Sequence, residues 1–119
     1  MSNDDTALQI ARLAGQLALS KRAFDVKILK LSELSSVCDY FVIASGDADI
    51  QVKAIAATIE RGLRDKGVRP SHREGEREGN WILLDFMEVV VHIFREQTRQ
   101  FYALEKLWGD APTEEITDN

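Results

Sequence analysis

Five consecutive apolar residues, Tyr40-Phe41-Val42-Ile43-Ala44, run directly into Ser45 and Gly46. An apolar run this short, closed by turn residues, suits a strand buried on both faces, because a half-exposed strand would alternate. Such a strand sits inside a sheet that is covered on both sides. The flanking segments must supply the remaining strands and that cover.

From Thr6 to Lys21, the apolar residues Leu8, Ile10, Ala11, Leu13, Ala14, Leu17 and Ala18 recur mainly at three- and four-residue steps. This pattern predicts an amphipathic helix, with Asn3 to Thr6 offering capping side chains and early negative charge. Asp25 to Leu31 alternates and is rich in β-branched residues, which predicts a strand. Ser32 to Ser36 is a connection. After the central strand, Val52, Ile55, Ala56, Ile59 and Leu63 mark a second helix over about 48–66, with Gly67 placed to end it in the left-handed conformation.

The stretch 68–80 is polar and contains Pro70, Gly75 and Gly79. It reads as a short strand around Ser71 to Arg73 followed by a loop. Trp81 to Asp85 and Val89 to Phe94 form two strands at a spacing that permits a hairpin, and Arg99 to Trp108 reads as a closing helix stopped by Gly109. The expected fold class is α/β to α+β, a mixed sheet of about five strands flanked by helices. A single domain over 1–108 is expected, with the acidic segment 109–119 as a disordered tail.

A chain of 119 residues is the size of one domain with one core. Its net charge of −5 argues against a partner held mainly through phosphates, which relies on many cations. Lys21, Arg22, Arg61, Arg64, Lys66, Arg69 and Arg73 leave room for contact with RNA at a rim. No apolar run approaches the roughly 20 residues that span a bilayer, and Met1 to Asp5 carry acid where a signal peptide carries base, so a cytoplasmic location is expected. The single cysteine, Cys38, has apolar neighbours and no nearby His or Lys, which predicts an inert thiol.

The hairpin is the most informative local feature. Pairing Leu84 with Val89 puts Ile82 opposite Val91 on one face, and Leu83 with Val90 and Trp81 with His92 on the other. Both faces are then apolar or aromatic. Either helices cover both and Trp81 is core, or one face stays partly open as a docking surface. His92 as a metal ligand has little support, since His72 is the other histidine and one cysteine completes no ligand spacing. Asp47 and Asp49, with Asp85 on a neighbouring strand, resemble the magnesium-holding carboxylates of a nucleotidyltransferase. The competing reading has Ser45, Asp47 and Asp49 capping the following helix. No nucleophile elbow, phosphate loop, dinucleotide fingerprint or zinc motif is present, and Glu74, Glu76 and Glu78 would repel a phosphate.

Five stretches in order carry a family resemblance. They are D-Y-F-V-I-A-S-G at Asp39 to Gly46, Gln51 with A-I-A at Ala54 to Ala56, G-N-W-I-L-L-D-F at Gly79 to Phe86, E-V-V-V-H-I-F at Glu88 to Phe94, and R-x-F-Y-x-L-E-K-L-W-G at Arg99 to Gly109. Together they resemble the RsfS or Iojap family of ribosomal silencing factors over nearly the whole chain. Two departures are visible: the family usually has a small hydroxyl residue at Asp49, and a glycine or other small residue with aspartate near Met87 and Glu88.

The resemblance implies a nucleotidyltransferase-like topology without catalysis, cofactor or metal. It also implies translation repression by docking on the large ribosomal subunit, through the intersubunit-face protein called L-fourteen, so that the small subunit is sterically excluded. It further implies a homodimer when free. On this reading Trp81, Leu83, Val90 and His92 form the apolar centre of the docking face, Asp85 and Glu88 are acidic groups facing a basic ribosomal protein, and Arg99 and Tyr102 extend the face. An enzyme of the nucleotidyltransferase kind and a homodimeric adaptor are the alternatives.

Overall fold

The computed structural model describes residues 3–117, with side chains described from Thr6 onward. The capping expected of Asn3 to Asp5 lies outside the described side chains. The chain forms α1 (Asn3–Leu19), β1 (Phe24–Lys30), β2 (Tyr40–Gly46), α2 (Asp49–Arg64), β3 (His72–Glu74), β4 (Trp81–Asp85), β5 (Val89–Arg95), α3 (Glu96–Tyr102), α4 (Leu104–Leu107) and β6 (Thr113–Glu115). One mixed sheet has the order β3-β4-β5-β2-β1-β6. The β2–β5 pair is parallel and every other pair is antiparallel.

The Tyr40–Ala44 run is β2, one of the two middle strands, with every residue except Phe41 buried. On one face, Tyr40, Val42 and Ala44 join the core formed with α1 and α2, where Ala7, Ala11, Ala14 and Ala18 meet Val52, Ile55, Ile59 and Leu63. The alanine stripe of α1 lets that helix lie close to the sheet. On the opposite face a smaller core gathers Leu29, Leu31, Cys38, Ile43, Val90, Phe94 and Ala111. Among the described residues no long helix covers it, and α3, α4, the 31–39 connection and the segment from Trp108 to Ala111 approach it.

Gly67 ends α2 as expected, with φ +81, while the Val68 N–H reaches back to the Leu63 carbonyl at 2.9 Å. At the other end of α2 the capping expectation holds for Asp49, whose Oδ1 accepts from the Ile50 N–H at 2.9 Å, and is corrected for Ser45, whose hydroxyl accepts from Arg99. Ala48 occupies the cap position without a side-chain hydrogen bond, and Gln51 folds back instead, accepting from the Asp47 N–H. The Gln51 side-chain amide also donates to the carbonyls of Lys21 and Arg22, tying the start of α2 to the end of α1.

Three further expectations change. The closing helix is two pieces, because Ala103 adopts φ 48 and ψ 47, which interrupts the helical ladder between α3 and α4. The hairpin register is two residues away from the expected one: Leu83 faces His92, Leu84 faces Val91 and Asp85 faces Val90. The shift arises because Phe86 pairs with Val89 around a tight Met87–Glu88 turn in which Met87 takes φ 76. An even shift preserves the side-chain faces, so the two-face assignment stands.

The segment expected as a disordered tail instead supplies a sixth strand. β6 pairs with β1, Ile116 is 8% exposed, and its side chain lies so close to Gly15 that a Cβ there would sit 3.0 Å from it. Arg12 adds a two-bond ion pair to Glu114 at 2.9 Å. Alternation within three residues is too brief a signal to distinguish a short edge strand from an acidic tail.

Candidate docking face

Cross-strand neighbours share a face, so the register places Trp81, Leu83 and Asp85 of β4, Val90, His92 and Phe94 of β5, and Phe41 and Ile43 of β2 on the less covered side. An aromatic layer crosses that side. The Trp81 ring stacks on Phe94 with centroids 4.8 Å apart, Tyr102 of α3 lies 4.9 Å from Trp81, and His92 meets the Phe41 ring at 4.5 Å. Trp108, just past α4, closes the far end edge-on to Phe41 at 6.1 Å.

Trp81, Leu83, Phe41 and Trp108 are half-buried and Tyr102 is 53% exposed, so the layer is open to solvent along its outer surface. Gly75 fixes the path of the preceding loop. It has φ +81, and a Cβ there would collide with the Trp81 carbonyl oxygen, so the loop can pass behind Trp81 only with glycine.

His92 lies beneath this layer, 3% exposed. The indole Nε1 of Trp81 donates to its Nδ1 at 3.1 Å, which leaves the proton of the neutral ring on Nε2. Nε2 has no hydrogen-bond partner, and burial pushes the imidazole pKa down to about 4. A neutral, enclosed imidazole with no carboxylate against it is a packing group rather than an acid–base centre. Cys38 is likewise inert, because burial and then the charges of Asp39 and Asp85 push its thiol up to about 11.

The expected site residues divide into three sets. Trp81, Leu83, Asp85, Glu88 and Tyr102 reach the surface of this side. Asp85 is half-buried, with one carboxylate oxygen accepting from the Met87 N–H at 2.8 Å, and Glu88 is exposed on the hairpin turn. Val90 and His92 form the layer below and support the exposed rings. Arg99 belongs to neither set, and its expected role as an extension of the face is corrected.

Arg99 is 8% exposed and its guanidinium makes four hydrogen bonds inside the fold. Nη1 donates to the Asp25 carbonyl at 2.6 Å and to the Ser45 hydroxyl at 2.7 Å, while Nε and Nη2 form a fork onto Glu105. The Arg99 hydrogen bonds hold the Glu105 carboxyl below its usual range despite its partial burial. Arg99 therefore braces α3 against the ends of β1 and β2, where Asp25 takes φ 49 beside a register break. Sequence reasoning also missed Phe41, Phe94 and Trp108 as members of the aromatic layer. Phe41 carried a usable signal, since it lies two residues from Ile43 in a strand whose other face faces α1 and α2.

The carboxylates considered for a magnesium site do not meet. Asp47 follows the C-terminal end of β2, whereas Asp85 is aligned through Val90 with Phe41 near its start. Six residues of extended chain separate those levels by ~20 Å. Among the described residues, no group of three or more His, Cys, Asp or Glu side chains is arranged to hold a metal ion, and no helix is long and apolar enough to cross a membrane.

Fold and face together define a small α+β protein whose mixed sheet is well covered on one side and carries a half-open aromatic layer on the other. The profile of the family described as "Ribosomal silencing factor during starvation" matches residues 4–119. The chain is 41% identical over 107 residues to ribosomal silencing factor RsfS of Bacillus subtilis, covering 90% of this chain and 91% of that protein. It is 37% identical over 116 residues to RsfS of Halalkalibacterium halodurans, covering 98% and 96%. A crystal structure of a Chromobacterium violaceum protein superposes with a TM-score of 0.85 at 33% identity, covering 92% of this chain and 88% of that one. The chain belongs to the ribosomal silencing factor family, RsfS.

Proposed function

We propose that this protein represses translation by docking its half-open aromatic face on the large ribosomal subunit and excluding the small subunit by its bulk. The docking partner is a protein on the intersubunit face, L-fourteen, with ribosomal RNA touched at the periphery. Occupancy alone suffices, so the activity involves no chemistry, cofactor or metal, and the site of action is the cytoplasm. Without the particle, the same apolar face is available to a second copy, which accounts for a free homodimer.

The observation that carries this reading is the combination of Trp81, Leu83 and Tyr102, open to solvent, with Asp85 and Glu88 at the hairpin end of the same face. An aromatic centre with a charged rim is the composition of a protein-docking patch, and acidic groups complement the basic surfaces common on ribosomal proteins. The nucleotidyltransferase alternative draws no support from this geometry, since its carboxylates lie at opposite ends of the sheet. A sucrose-gradient profile of purified 30S and 50S particles provides the test. Added protein is expected to lower the 70S peak in proportion to its occupancy of 50S. Undiminished 70S formation with the protein bound to every 50S particle would contradict steric exclusion.

A further inference from the structure

The opposite side of the molecule carries a feature that docking through Trp81 does not use. Between Lys53 and Arg73 the chain holds six cations, Lys53, Arg61, Arg64, Lys66, Arg69 and Arg73, against two carboxylates, Glu60 and Asp65. This is a local charge of +4 in a chain whose net charge is −5. The fold gathers four of those cations around one groove of about 380 Å³ between α2 and β3, floored by Ala56, Ala57 and Ile82.

Glu60 at the groove edge is neutralised by Arg73, whose guanidinium lies 2.9 Å from it. Glu76 is the other acid there, so the lining carries four cations against two carboxylates; with Arg73 and Glu60 paired, Lys53, Arg61 and Arg64 outweigh the single repelling charge of Glu76. Among the described residues Lys53, Arg61 and Arg64 form no ion pair, and all three are exposed. They recur at helical spacing along one side of α2, with the small residues Ala54 and Ala57 between them, so nothing bulky keeps a backbone from approaching. The outer side of α2 from Lys53 to Arg64 exposes no large apolar residue, and the exposed Ile50 stands one turn before that row, so the row itself suits a charged partner rather than an apolar one.

We propose that the α2–β3 groove binds the phosphate backbone of RNA through Lys53, Arg61 and Arg64. The chemistry is a row of exposed cations without ion pairs lining an open channel, which recognises charge and spacing rather than base identity. The site lies across the sheet from the aromatic face, so both can be occupied together. That the RNA belongs to the ribosome rests on the function proposed above, but the groove itself can be tested without the particle.

The test is fluorescence anisotropy of the intact protein with a labelled RNA duplex at several salt concentrations, comparing wild type with the double variant Arg61→Gln, Arg64→Gln. Glutamine is a good helix former without charge, and circular dichroism verifies that α2 is retained. Wild type is expected to bind with a clear salt dependence, and the double variant to bind roughly tenfold more weakly with a shallower slope. Lys53→Gln is expected to act in the same direction, which keeps the test decisive if the double variant is unstable.

Trp81→Ala is expected to leave duplex binding unchanged, so failure of the docking reading and failure of this one are distinguishable. Equal RNA affinity for wild type and for folded variants would overturn the assignment. So would full displacement of the duplex by an equal concentration of inorganic triphosphate, which would make the groove a site for free phosphate instead.

Discussion

The Trp81 indole donates its N–H to Nδ1 of His92 at 3.1 Å, so the half-exposed ring of the aromatic layer is held in place by a fully enclosed one. The bond requires a neutral imidazole, because a protonated ring has no acceptor left at Nδ1. Orientation of the docking indole and the protonation state of the buried histidine are thus coupled.

That coupling predicts a pH dependence. Unfolded His92 titrates near 6.5 and the folded residue near 4, so as pH falls the unfolded chain takes up the proton first. The contribution is intact above about pH 6.5 and is lost progressively toward pH 4, for a total on the order of 3 kcal/mol. Urea titrations from pH 7.5 to 4.5 are expected to show this fall in wild type and a much flatter curve in His92→Gln. Parallel curves would show that His92 does not drive the loss.

Arg99 makes four hydrogen bonds to three residues from separate parts of the chain. Lysine offers one ammonium and no planar fork, so it cannot bond Asp25, Ser45 and Glu105 together. Arg99→Lys is expected to lower stability by about 2 kcal/mol, with Arg99→Ala somewhat worse. Chemical denaturation measures both. A lysine variant as stable as wild type would mean that the brace is not the role of this residue.

Met87 holds φ 76 on the hairpin turn with its side chain exposed. A non-glycine residue in that region costs about 1 kcal/mol, and removing this side chain loses one weak, exposed bond that its sulfur accepts from the Ser71 hydroxyl at 3.6 Å. Met87→Gly is therefore expected to raise stability by roughly 0.5–1 kcal/mol, net of the greater freedom glycine has when unfolded. A lowered melting temperature would contradict this.

Ile116, the residue that follows β6, packs against Gly15. Ile116→Ala is expected to cost about 2 kcal/mol, which a mobile tail residue would not. Gly15→Ala tests the same contact from the α1 side, because its new Cβ would crowd the isoleucine at 3.0 Å. Thermal unfolding of either variant at the wild-type temperature would place β6 outside the stable fold.

The parts of this fold legible in the sequence are those in which one side-chain period persists over many residues. The five-residue apolar run gave β2, and the repeat from Val52 to Leu63 gave α2 with its glycine stop. The two faces of the hairpin were legible for a subtler reason. Trp81, Leu83, Val90 and His92 share a face under any even shift, so a register wrong by two residues still sorts them correctly.

The remainder depended on contacts between distant residues. The packing of Ile116 on Gly15 and the reach of Arg99 to Asp25 leave no local pattern, since each is decided by a partner far along the chain, and the left-handed turn at Ala103 falls on a residue type that gives no signal for it. In the candidate face, the shared side of Trp81, Leu83, Val90 and His92 was legible, but not that this side lies partly open. Nor was it legible which side chains lay beneath the surface, because burial of Val90, His92 and Arg99 follows from what packs over them.

The most direct test of the docking account is co-sedimentation of wild type and Trp81→Ala with purified 50S particles, after native-like circular dichroism has been verified for the variant. Removing a central aromatic anchor is expected to weaken binding by on the order of 2 kcal/mol or more, about a thirtyfold rise in Kd. A folded Trp81→Ala protein that pellets with wild-type affinity would contradict the claim that this face holds the particle.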